Sequence, residues 1–112
     1  MRIKAEKTRS VANLTELQAA LVDKNCEIII SPPAAAASLG IGYWVTLLEQ
    51  SGFSQSGKIA ILDCANDAGL ASAALAAGLK NIALDPLTAA LPALKEIAAQ
   101  YQAKIWAGRR LV

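Results

Sequence analysis

Apolar positions along this chain alternate between two spacings, and the alternation lays out the fold. Leu14, Leu17 and Leu21 recur at the interval of one helix face. Asn13 stands before them with Glu16 three residues on, a capping-box spacing, and Lys24-Asn25 close the segment. Ile28, Ile29 and Ile30 are consecutive instead, which predicts a strand over 26–30 covered on both faces. Ser31-Pro32-Pro33 stops it, since proline cannot extend a hydrogen-bonded ladder. A loop or weak turn is expected to about residue 40, because Gly40 and Gly42 oppose one long helix from Ala34. A helix then runs over 41–50.

Residues 59–85, IAILDCANDAGLASAALAAGLKNIALD, read as a complete strand–helix–strand unit. Strands are expected over 59–62 and 82–84. Asp67 caps the helix between them, and Gly78 follows its end. Asp85-Pro86 opens a turn, since Pro92 sits too deep for one regular helix from there. A last helix over 91–102 carries Leu94, Ile97, Ala98 and Tyr101 inward, and a last strand covers 104–107. Residues 1–9 are polar and basic and read as a flexible arm or a short edge strand. Short connections favour right-handed crossovers and parallel pairing. The expectation is an α/β fold: one three-layer domain over 10–112, with a mostly parallel four-stranded sheet of flavodoxin-like or half-barrel type.

The helix over 41–50 leaves little polar face: Ile41, Tyr43, Trp44, Val45, Leu47 and Leu48 surround it. Such a helix is buried on both sides. In so small a domain the second side is expected to meet another copy, with Tyr43, Trp44, Leu47 and Leu48 at the interface. Composition agrees, because 54% of the 112 residues are apolar and only 18% charged.

The net charge is +2, but Arg2, Lys4, Lys7 and Arg9 crowd the start and Arg109-Arg110 the end. A nucleic-acid footprint needs a basic face rather than basic termini, so nucleic acid is not an expected partner. No stretch approaches a membrane span, and MRIKAEKTRSVANL lacks the apolar core of a secretory signal. The expected location is cytoplasmic. Cys26 begins one predicted strand and Cys64 lies just past the end of another, opposite ends of a parallel sheet on the order of 15 Å apart, and both are expected as free thiols. Histidine is absent, which removes the usual general base and the commonest metal ligand. Neither a metal nor a cofactor is expected.

A parallel sheet gathers the carboxyl ends of its strands at one edge, where open α/β sheets bind ligands. That edge would display Ser31, Asp63, Cys64, Asn66, Asp67, Asp85, Arg109 and Arg110. Asp67 and Asp85 are equally explained as helix caps. Cys64, between a strand end and a helix start, is the candidate nucleophile, although Asp63 and Asp67 disfavour its thiolate. An arginine there would hold a small anionic ligand.

The stretch ILDCANDAGLASAALAAGLKNIAL resembles the active-site segment of rhodanese-type sulfurtransferases, where a strand ends in a cysteine held by a loop before a helix. That resemblance implies Cys64 as a sulfur carrier. The family's loop reads C-x-x-G-x-R-[ST] and this one C-A-N-D-A-G-L, so only Cys64 carries over. The pattern S-P-P-A-A, L-D-C, G-L-A and A-A-L-x-x-G, over about residues 26–85, resembles short bacterial α/β proteins and implies no activity. Two classes of function follow: a small homo-oligomeric binding or assembly module, or a small enzyme or ligand-binding domain using the strand-end edge.

Overall fold

A computed structural model describes residues 7–108. Among them five strands form one parallel sheet in sequential order. The strands are β1 (Thr8–Ser10), β2 (Ile28–Ile30), β3 (Ile59–Asp63), β4 (Asn81–Leu84) and β5 (Lys104–Ala107). Between them lie α1 (Leu14–Val22), α2 (Ala35–Ser38), α3 (Ile41–Ser51), α4 (Ala68–Ala76) and α5 (Leu91–Gln100), with a 3₁₀ turn at Phe53–Gln55. The expected four strands are therefore corrected to five. The fifth is Thr8–Ser10, at the end of the segment read as an arm or a short edge strand, and it pairs along the open ladder of β2. The loop expected over 31–40 contains the short helix α2.

Local signals act as their chemistry requires. Asn13 Oδ1 accepts from the Glu16 N–H at 2.9 Å, and Glu16 Oε1 accepts from the Ala12 N–H at 2.7 Å, so α1 starts with reciprocal caps. Gly78 takes φ +95° past the end of α4, a conformation that a side chain resists.

The expected three layers are also corrected. Every buried helix residue joins one cluster with Ile29, Ala60, Leu62, Cys64, Ile82 and Leu84, which alternate onto one face of the sheet. The opposite face holds Ile28, Ile30, Ile61, Ala83 and Trp106, and no helix residue belongs to that cluster among the described residues. The cause is topological. Each crossover moves to the next strand in the same direction, and crossovers of one hand then place every helix on one side. A doubly wound sheet reverses direction once; this one does not.

The helix α3 shows the consequence. Trp44 is fully buried and Leu47 is 4% exposed, both in the chain's own core. Leu48 is half-buried, and Tyr43 is 41% exposed with its hydroxyl donating to the Ala12 carbonyl at 2.8 Å. The second apolar side of α3 is thus largely covered within the chain, by α1, α2 and α4 beside it. No described helix is long and apolar enough to cross a membrane.

Candidate functional site

The carboxyl ends of β2, β3 and β4 meet in one hydrogen-bonded network centred on Asp63. Its side chain points from the last position of β3 and is 3% exposed. Oδ2 accepts from the Ala34 N–H at 3.1 Å, and Oδ1 from the Ala65 N–H at 2.9 Å. The Asp63 N–H in turn donates to Ser31 Oγ at 2.9 Å, and that hydroxyl donates to the Pro32 carbonyl. Ala65 is fixed from its other side, since its carbonyl accepts from the Asp85 N–H at 2.7 Å. One carboxylate thus ties the loop after β2 to the loop after β3, and a backbone bond ties on β4.

Both alanines bound by Asp63 have left-handed backbones, Ala34 at φ +54° and Ala65 at φ +52°. That conformation costs an L-residue about 1 kcal/mol. A buried carboxylate accepting two charge-assisted bonds offsets that cost. The strain and the bonds occur together because each left-handed residue turns its N–H back toward the strand end.

The remaining predicted residues serve local geometry. Asp67 is exposed and caps α4, accepting from the Leu70 N–H at 3.0 Å. Asp85 Oδ1 accepts from the Leu87 N–H at 2.9 Å, which shapes the turn leading toward α5. Asn66 is exposed at the elbow. Arg109 and Arg110 lie outside the described residues.

Cys64 does not share this edge. It alternates onto the helix-covered face, 1% exposed, within the main core. Burial, then Asp63, then Asp67 push its thiol up to about 12 from 9.0. Such a group is protonated at neutral pH. Both cysteines are free. Among the described residues no group of histidine, cysteine or acid side chains is placed to hold a metal ion.

A second feature was not anticipated. A groove of about 300 Å³ lies between α5 and the last strand, lined by Lys95, Ala98 and Ala99 on the helix and residues 103–106. A lysine opening a short last strand is the sequence mark of an exposed sheet edge. It could not be read as such while the strand order was open.

No protein-family model matches this chain, and neither a curated protein nor a solved structure matches it.

Proposed function

We propose that the chain is a small cytoplasmic α/β module of half-barrel type that binds other chains, including copies of itself, and performs no chemistry of its own. The observation that carries this reading is the use of the strand-end polar groups. Ser31, Asp63, Asp67 and Asp85 each accept from backbone N–H groups of a strand end, a loop or a helix start, and Cys64 is a core thiol. The one-way winding also leaves out the switch-point crevice in which a doubly wound sheet binds its ligands. Self-association draws on what α3 and its neighbour leave outside, Tyr43, Leu48 and Leu39, the last 37% exposed. Sedimentation velocity tests it. A concentration-dependent dimer or larger assembly is expected at micromolar protein, weakened by Tyr43→Glu; a strict monomer overturns self-association.

A second reading keeps the strand-end edge as a site for a small anion, with Asn66 at the braced loops and Arg109, outside the described residues, as the expected cation. The two left-handed alanines favour it, since strained backbone concentrates where loops must hold a set shape for a ligand. Inorganic phosphate should then shift the NMR signals of Asn66 and Arg109. Unmoved signals end this reading.

A further inference from the structure

The geometry points to the free edge of β5 as a docking strand for an extended, acidic segment of another protein. This rests on the reading of the chain as a binding module and names the partner's chemistry. The N–H groups of Lys104 and Gly108 donate at 2.8 Å to the carbonyls of Lys80 and Leu84 on the β4 side. Residues along a parallel strand alternate in the direction of their backbone groups, so Ile105 and Ala107 turn theirs away from β4. Among the described residues nothing pairs with them there. The groove beside this edge has alanine, isoleucine and tryptophan walls, and its charged lining residues are Lys95 and Lys104. It has room for one apolar side chain of an added strand. Strand addition works in this way, with main-chain bonds supplying affinity and a pocket supplying selectivity.

Charge decides between occupants. A second copy would bring its own Lys95 and Lys104 to the same edge, and like charges oppose that pairing. An incoming strand with acids on either side of an apolar residue meets the same charges favourably. Lysine on an edge strand also discourages indiscriminate pairing, so the charge that protects β5 selects its partner.

An array of short blocked peptides alternating apolar residues with glutamate, serine or lysine tests this on the full chain. Glutamate peptides should bind, shift the Ile105 and Ala107 amide signals and slow their hydrogen exchange. Lysine peptides should bind at least about tenfold more weakly, and the double variant K95E/K104E should reverse that order. Ala107→Pro removes an outward N–H while leaving the β4 ladder intact, and should weaken binding about tenfold with little change in Tm. Three results overturn the inference: amides unmoved by glutamate peptides, a preference unchanged by charge reversal, or undiminished binding by Ala107→Pro. If the chain self-associates but glutamate peptides leave those amides unmoved, the module reading stands and the acidic partner falls. If it is monomeric and binds them, the acidic partner stands and self-association falls.

Discussion

The two ends of the sheet are held by opposite charges. At the carboxyl end, Asp63, Asp67 and Asp85 accept from backbone N–H groups of the loops and of the α4 start. At the amino end, Lys58 donates to the carbonyls of Asp23 and Cys26, and Lys80 donates to the carbonyl of Tyr101 at 2.6 Å. The asymmetry follows from the winding. In a strand–helix–strand unit with parallel strands the helix runs back, so helix starts lie at the carboxyl end and helix ends at the amino end. Helix starts leave N–H groups without partners and helix ends leave carbonyls. Acids suit the first and lysines the second. The ends differ in burial too: Asp63 is enclosed, whereas Lys58 is half-exposed and Lys80 exposed. The carboxyl end is the more constrained of the two.

The largest test of that difference is Asp63→Ala. It leaves the part-buried N–H groups of Ala34 and Ala65 without their acceptor and should cost about 2 kcal/mol in urea unfolding. A loss under about 1 kcal/mol would show that the carboxyl end does not depend on this carboxylate.

The two thiols sharpen the comparison next. Cys64 lies among acids. Cys26, at the other end, is raised by burial and pulled back by Lys58. Below about pH 9 the Cys64 thiol is protonated in folded and unfolded chains alike, so it makes no difference between them. As pH rises from 9.0 toward 12, the unfolded thiol ionises and the folded one does not, so stability falls. The loss should reach roughly 2 kcal/mol by about pH 10.5 and be absent in Cys64→Ala, as measured by unfolding at several pH values. In mild denaturant, Cys26 should react with a thiol reagent before Cys64. Equal rates would dissolve the distinction between the two environments.

Lys58→Met should cost about 1 kcal/mol, the loss of charge-assisted bonds at a half-exposed site. A loss as large as that of Asp63→Ala would reverse the ranking of the two ends. The smallest effect expected has the opposite sign. Ala65→Gly relieves a left-handed alanine and should raise stability by about 0.5 kcal/mol after the added flexibility of the unfolded chain. A fall in Tm would mean that the Ala65 backbone is not strained.

Elements set by neighbours in sequence were legible. The Asn13-Glu16 cap, the Asp67 cap, the Gly78 stop and the strand at 104–107 depend on groups within a few residues of each other. The gathering of Ser31, Asp63 and Asp85 was legible as well, because parallel strands must end on one side. Their roles were not. That Asp63 braces Ala34, a residue from another strand's loop, is a contact between distant segments. Alternation from β3 also puts Cys64 on the helix face, away from the edge where chain position alone seated it.

The sequence by itself determined the alternation of helices and strands, the α/β class and the parallel pairing, since period, caps and short crossovers are local properties. Strand order, and everything that depends on it, belonged to the tertiary structure. Whether the winding reverses decides if helices cover one face or two, whether Trp44 faces core or neighbour, and which strand is left open at the edge. Local chemistry is silent on that choice, because each strand–helix–strand unit is the same whichever way the next one turns.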